Sequence, residues 1–228
     1  MATQKIKKHF SKILQLAWPV CLSNVGNVVV GIVDTAMVGG IKESVTGYNG
    51  TTAQAAVSLA NGFYFLVLVF GMGVSYGVTP LAAEADSMGN EEENKKLLSH
   101  ALIVNILTNS ILFIALFFGS SCMRLLNQPT DVVKLAIPFL NVMMLGMIPL
   151  AIFVSFKQFA EGLSLTRFAM IISIGANLLN VLLNWILIYG KLGFSSMGMM
   201  GACWATFYSR LIMAIAMFLY IFYHKCPV

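Results

Sequence analysis

Long apolar stretches separated by short polar links dominate the pattern of this chain. The six stretches cover about 13–40, 53–83, 97–120, 132–156, 168–190 and 199–223. A membrane-spanning helix needs roughly 20 predominantly apolar residues, and each stretch meets that length. The links carry most of the charges and the turn-forming residues, and none is long enough to separate soluble domains. The pattern therefore predicts an all-α integral membrane protein, with residues 1–228 forming a single bundle of six transmembrane helices.

The composition supports a membrane protein. Of the 228 residues, 58% are hydrophobic and only 10% are charged, whereas soluble domains carry about 25% charged residues. The net charge of +5 is typical of basic loops on the cytoplasmic side of a membrane. Nucleic-acid binding is excluded as a prediction, because no basic cluster with interleaved aromatic residues occurs.

The distribution of Lys and Arg predicts the orientation of the bundle. We expect residues 1–40 to hold a retained first helix, since the apolar region is too long for a signal peptide and lacks a cleavage site. With the N-terminus inside, the inner segments hold Lys5, Lys7, Lys8, Lys12, Lys95, Lys96, Lys157, Arg167 and Lys225, against Lys42, Arg124, Lys134 and Lys191 outside. This bias predicts both termini in the cytoplasm and the chain in the cell (inner) membrane.

Asp34 is an acid inside an apolar stretch, Cys21 to Gly40, whereas the other acidic residues fall in links or at span ends. A charge in hydrocarbon is expensive unless a proton, a cation or a partner neutralises it. An intramembrane acid is therefore a candidate proton or ion site. No basic residue lies in its own span, and a permanent ion pair with Arg210 of the sixth span would remove any switching role.

Polar residues form a stripe on the first span. Asn24, Asn27, Gly31 and Asp34 follow a spacing of i, i+3, i+7 and i+10, which places them on one helix face. Pro19 precedes the stripe and removes one backbone hydrogen bond, so a helix bend is expected there.

Two further spans carry amide stripes, Asn177, Asn180 and Asn184 in the fifth and Gln54, Ser58 and Asn61 in the second. Amides also help membrane helices associate. The residues alone therefore leave two interpretations open, helix association or the lining of a polar cleft. For the cleft we single out Asn27, Gln54, Asn61 and Asn177.

The remaining residues offer little other chemistry. The cysteines (Cys21, Cys122, Cys203 and Cys226) form no CxxC motif, and the histidines are scattered, so no metal site is predicted beyond Na+ at Asp34, and no cofactor. No HExxH motif, intramembrane Ser–His pair or paired carboxylate supports an intramembrane enzyme. A passive scaffold held together by amides remains an alternative.

Several motifs in order resemble the multidrug and toxic compound extrusion (MATE) family, in its NorM-type branch. They are Leu16-Ala17-Trp18-Pro19, Val33-Asp34-Thr35-Ala36-Met37-Val38-Gly39, Glu161-Gly162-Leu163-Ser164-Leu165-Thr166-Arg167, the stretch from Asn180 to Gly193, and Gly201-Ala202-Cys203-Trp204-Ala205-Thr206. The resemblance covers almost the whole chain.

The resemblance implies a polyspecific antiporter that expels organic, often cationic compounds in exchange for H+ or Na+. The fold it implies is two six-helix lobes around a central cleft, of which this chain is the N-terminal one. Residue by residue, Asp34 matches the acid that binds the coupling cation, Asn180 an amide hydrogen-bonded near it, and Thr206 a hydroxyl of the same cluster. Asn184 joins this proton- or cation-binding set.

The chain also departs from the family pattern. Asn184 stands where some members have a second acid, which weakens a two-carboxylate proton relay, and Phe139 stands where some have Tyr. Six spans are one lobe of twelve, so the resemblance implies a missing C-terminal half or a partner chain. Among related transporters, a flippase-like exporter of lipid-linked precursors is the nearest alternative, since it shares the two-lobe architecture.

Overall fold

The computed structural model describes residues 2–41 and 47–224, and in these ranges most of the chain is helical. The α-helices are α1 (Ala2–Gly39), α2 (Gly50–Tyr76), α3 (Val78–Ser87), α4 (Glu91–Gly119), α5 (Thr130–Leu145), α6 (Met147–Gly162), α7 (Thr166–Tyr189) and α8 (Met199–His224), and a 3₁₀-helix, Ser120–Leu126, follows α4.

Five helical segments of the described ranges are long and apolar enough to cross a membrane. They are Ile13–Gly39, Gly50–Ser87, Glu91–Leu126, Thr166–Tyr189 and Met199–Tyr223. A sixth span is formed by α5 and α6 together, which meet at an angle of 42°. The prediction of an all-α membrane bundle of six spans is confirmed, with the fourth span broken.

The break in the fourth span has a local cause. Gly146 separates α5 from α6, and glycine lowers the stability of a helix interior. Pro149 follows three residues later and has no N–H to donate to the carbonyl of Leu145. A helix with both features bends readily, so the apolar stretch expected over 132–156 becomes two helices.

The ends of other helices are encoded locally. The Asn90 side chain accepts a hydrogen bond of 3.1 Å from the backbone N–H of Glu93 and donates one of 2.8 Å to the Glu93 carboxylate, a reciprocal cap at the start of α4. Gly190 ends α7 with a left-handed backbone, φ 65°, which a glycine adopts without strain.

Two apolar clusters hold the bundle together. One joins the end of α1 and the first half of α2 to α5 and the start of α8, around Leu140 and Met144. The other joins α3, α4 and most of α6 to the second half of α8, around Phe156 and Met217. Because the break at Gly146 lies between the clusters, the fourth span contributes one helix to each.

Large apolar side chains cover the outside of the bundle. Phe118, Phe70 and Leu178 are 74%, 72% and 69% exposed. A soluble protein rarely exposes such a surface, whereas lipid tails solvate it. Together with the span lengths, this outer surface identifies an integral membrane protein.

Close backbone contact between α7 and α8 predicts a steric requirement at Gly201. A Cβ added there would lie 2.7 Å from the backbone carbon of Leu187, whereas one added at Gly175 of α7 would meet nothing within 4 Å. We expect Gly201→Ala to destabilise the bundle by about 1–3 kcal/mol, as overpacking does. Gly175→Ala should be neutral or mildly stabilising.

Thermal unfolding of both variants in detergent, followed by loss of monodisperse protein, measures the difference. Equal midpoints for the two alanine variants would show that α7 and α8 are not in this close contact.

Candidate functional site

The side chain of Asp34 points into the bundle and meets α7. Asn184 donates a hydrogen bond from its Nδ2 to the Asp34 carboxylate, and the same nitrogen donates to the Oδ1 of Asn180 at 3.1 Å. Asn184 is fully buried and Asp34 half-buried. Buried polar groups need such partners, and the i, i+4 spacing of Asn180 and Asn184 places both amides on the face of α7 that packs against α1.

The hydrogen-bonded chain continues to α8. Asn180 donates from Nδ2 to the Oγ1 of Thr206 at 3.4 Å. The four residues predicted to bind a proton or cation are therefore connected through three helices: Asp34 on α1, Asn180 and Asn184 on α7, and Thr206 on α8. We call these four residues the Asp34 network. Their role in binding stays a prediction.

One atom of the Asp34 network has no hydrogen-bond partner. The Oδ1 of Asn184 is buried, and no described residue donates to it. A buried acceptor without a donor costs about 1–3 kcal/mol. The network thus presents a carboxylate, amide oxygens and a hydroxyl close together, which is the donor chemistry that hard cations prefer. No group of three or more His, Cys, Asp or Glu side chains converges within residues 2–41 and 47–224.

A second amide pair connects α1 and α7 beside this network. Asn177 donates to the Oδ1 of Asn27 at 3.0 Å. Gly26 makes the approach possible, since a Cβ there would lie 3.2 Å from the Asn177 amide nitrogen. Asn24, Asn27 and Gly31 are exposed, so the part of the polar stripe that precedes Asp34 lies on an open face of the bundle.

The predicted cleft residues of α2 do not join the network. Gln54 is exposed and lies against Gly39, whose added Cβ would be 3.2 Å from the Gln54 Oε1. Asn61 is half-buried. The cleft-lining role of Gln54, Asn61, Asn27 and Asn177 remains a prediction.

The expected helix-bend residue, Pro19, is buried inside the continuous helix α1. Four residues later, the Ser23 hydroxyl receives a hydrogen bond of 3.4 Å from the Nζ of Lys157 on α6. A single hydrogen bond thus connects the segment after Pro19 to α6, whereas Asn27 and Asp34 both connect α1 to α7.

Glu161 lies at the end of the fourth span, as expected for the acids other than Asp34, but its side chain is largely buried. It belongs to α6, its side chain is only 11% exposed, and it lies 3.7 Å from the Nζ of Lys157. A buried carboxylate needs such a partner. The i, i+4 spacing of Lys157 and Glu161 could have indicated the pair.

Sequence reasoning did not predict the contact between Arg210 and Tyr64. Its Nη1 donates a hydrogen bond of 2.6 Å to the Tyr64 hydroxyl, and its guanidinium carbon lies 5.2 Å from the centroid of the Tyr64 ring. Among the described residues, no carboxylate lies within 4.0 Å of Arg210. The permanent ion pair with Asp34 that would have removed the switch is not formed. The available sequence signal was that Arg210 follows Thr206 by one helical turn, which places a positive charge beside the Asp34 network.

Comparison with known proteins identifies the family. The model of the family called MatE matches residues 19–186. The chain belongs to the MatE family. This confirms the resemblance to MATE transporters that the motifs of the first, fifth and sixth spans indicated.

Among curated relatives, the Multidrug resistance protein NorM of Vibrio vulnificus is 29% identical over 217 residues, which cover 95% of this chain and 46% of the relative. A Probable multidrug resistance protein NorM of Synechocystis is 31% identical over 214 residues, covering 93% and 44%. The chain thus spans about half the length of the MatE relatives it matches.

Solved structures show the same fold. A crystal structure of the eukaryotic MATE transporter AtDTX14 matches with a TM-score of 0.85 at 18% identity, covering 96% of this chain and 47% of that one. An outward-facing multidrug resistance MATE family transporter of the MOP superfamily matches with a TM-score of 0.79 at 21% identity, covering 93% and 44%. The bundle is the fold of one half of these MatE-type structures.

The hydrogen bond between Asn184 and Asp34 predicts energetic coupling between the two side chains. Asp34→Ala and Asn184→Ala each break the same bond, so the double variant should differ from the sum of the single variants by about 0.5–3 kcal/mol. Thermal unfolding of the purified protein and its variants measures this difference.

Asp34→Ala combined with Asn61→Ala is the matched control, because no hydrogen bond of the structure connects these two residues. We expect that pair to be additive. Additivity for Asp34 and Asn184 as well would argue against their contact.

Proposed function

We propose that this chain forms one lobe of a secondary active multidrug antiporter, which expels organic, often cationic compounds in exchange for H+ or Na+. The observation that carries the proposal is the set of groups that surround the Asp34 carboxylate. Its carboxylate is held by an amide donor inside the bundle, with no cationic side chain of the described residues within 4.0 Å. A carboxylate so placed is available to an exchangeable cation.

The relatives support only the general part of this proposal, which is multidrug transport. The curated relatives are multidrug resistance proteins by name, and the similar structures include a multidrug resistance transporter. Transport by exchange, the coupling ion and the chemical class of the substrate are our proposals for this chain.

The Asp34 network fits a site that holds either a coupling ion or a cationic substrate. When Asp34 is ionised, it attracts a cation. When a proton or Na+ occupies it, that attraction is lost, and the substrate can leave. Alternating access from the two sides of the membrane turns this competition into exchange. One unit charge crossing the membrane is worth about 2.3 kcal/mol per 100 mV, so an ion gradient is a sufficient driving force.

The contacts of α1 with two different helices support a role for this helix in the exchange. Ser23 contacts Lys157 on α6, whereas Asp34 contacts Asn184 on α7. Directly after Asp34, the Thr35 hydroxyl donates a hydrogen bond of 2.8 Å to the Gly31 carbonyl, a local contact that often bends helices. We propose that the occupant of Asp34 decides whether α1 stays packed on α7, and that Pro19 permits the change.

A second six-helix lobe is the partner that completes the cleft in this proposal. Asn24, Asn27 and Gly31 of α1, and Gln54 and Ser58 of α2, are exposed. Amides placed against lipid lose hydrogen bonds to water. Covering this polar face with a second lobe and a water-filled cleft avoids that cost. We further propose that the protein resides in the inner membrane with both termini of this chain in the cytoplasm.

Asp34→Asn should abolish coupled efflux and leave membrane insertion intact, because the amide keeps the shape of the side chain and removes its charge. Asp131→Asn is the matched control, since Asp131 is an exposed acid whose side chain is 80% accessible and pairs with Lys134. The test uses the protein expressed from its complete gene, in membrane vesicles under imposed pH or Na+ gradients. The measured quantity is the efflux of a fluorescent organic cation.

We expect efflux to depend on one of the two gradients, to fall to the protein-free background in Asp34→Asn, and to stay near the unmodified level in Asp131→Asn. Efflux by Asp34→Asn at the unmodified level would refute the role of Asp34. Flux that ignores both gradients would instead favour a passive scaffold or pore.

A further inference from the structure

Arg210 is a permanent positive charge close to the Asp34 network. An arginine side chain keeps its charge at any physiological pH. Arg210 follows Thr206 by one turn of α8, so the two residues share a helix face, and Thr206 is a member of the network. The Arg210 guanidinium and the Asp34 carboxylate interact electrostatically, although no ion pair joins them.

The guanidinium of Arg210 occupies a defined position on Tyr64, which we call its seat. The Tyr64 hydroxyl accepts its hydrogen bond, and the Tyr64 ring lies beneath it. Tyr64 itself is 4% exposed. At the break of the fourth span, Gly146 leaves room for the arginine, because an added Cβ would lie 3.0 Å from its Nη1 and 3.3 Å from its Cδ. Residues of α2, the α5–α6 break and α8 thus meet around one charge.

A neutral tyrosine hydroxyl is a weak partner for a guanidinium compared with a carboxylate, since hydrogen bonds between two ionised groups are the stronger class. A seat on Tyr64 therefore holds Arg210 without neutralising it. The charge therefore remains available to Asp34, the one acid of the network.

We propose that Arg210 is a tethered cation that competes with the coupling ion and with cationic substrates for Asp34, and that Tyr64 holds it in the state in which Asp34 is free to bind. This inference rests on the proposed function. It assigns Arg210 and Tyr64 as residues that set the cation affinity of the site. When the seat is occupied, an external cation can bind Asp34. When Arg210 leaves the seat, it replaces that cation and promotes its release.

The competition predicts opposite effects for two substitutions. Arg210→Gln removes the competing charge, so the affinity for a cation should rise about tenfold, the effect expected from losing one like charge at several ångströms. Tyr64→Phe keeps the ring but removes the hydroxyl acceptor. The guanidinium then favours Asp34, and the affinity should fall about threefold, as for one hydrogen bond. A purely structural role predicts loss of affinity in both variants.

The experiment measures the binding of tetraphenylphosphonium, whose charge does not depend on pH. Calorimetry is carried out on the purified protein expressed from its complete gene. Arg210→Lys keeps the charge and should remain near the unmodified affinity. Arg167→Gln is the matched control, because it removes the charge of an exposed arginine at the start of α7.

Asp34→Asn separates the two proposals. Unchanged tetraphenylphosphonium affinity in Asp34→Asn would overturn the proposed function. Loss of binding in Asp34→Asn together with unchanged or weaker binding in Arg210→Gln would overturn the competition alone. Should Arg210→Gln fail to give monodisperse protein, Tyr64→Phe still tests the proposal, since unchanged or tighter binding in that variant contradicts the seat.

Discussion

The cost of keeping a carboxylate at membrane depth constrains this bundle more than any other interaction. Asp34 cannot face lipid without losing several kcal/mol. It is accommodated because α7 presents Asn184, which is fully buried and donates to it. That contact requires α1 and α7 to pack side by side, and the hydrogen bonds from Asn184 to Asn180 and on to Thr206 extend the requirement to α8.

The apolar packing makes a different contribution. The two clusters fix α2, α5, α6 and α8 by van der Waals contacts, which have little directional preference compared with hydrogen bonds. Small residues let the backbones approach, as Gly201 does against Leu187. In lipid, such close packing and the polar contacts between helices replace the hydrophobic effect as the source of association. The apolar clusters therefore build the frame, and the polar contacts decide how α1 lies against it.

The hydrogen-bonded side chains of α1 and α7, whose binding role is a proposal, could be singled out because each carries its own signal in the sequence. An acid in an apolar stretch, and amides spaced i, i+3 and i+7, define helix faces without a structure. The motifs of the MATE family then indicated which faces meet. The six-span fold followed from stretch length, and the structure confirms it with one span broken.

Other features were not predictable because they depend on partners far apart in the chain. Tyr64 and Arg210 are separated by 146 positions, and neither periodicity nor any motif connects them. The burial of Glu161 depends on how α6 packs, although its pairing with Lys157 follows helix spacing. The break at Gly146 had a local signal in the glycine and in Pro149, but the position of Arg210 beside that glycine had none.

The claim that Asp34 exchanges its occupant can be tested directly by infrared difference spectroscopy of the reconstituted protein. The account predicts that adding a permanent organic cation at fixed pH changes the carboxyl or carboxylate bands, and that this change is absent in Asp34→Asn. A cation-induced carboxyl difference spectrum of equal size in Asp34→Asn would contradict the account.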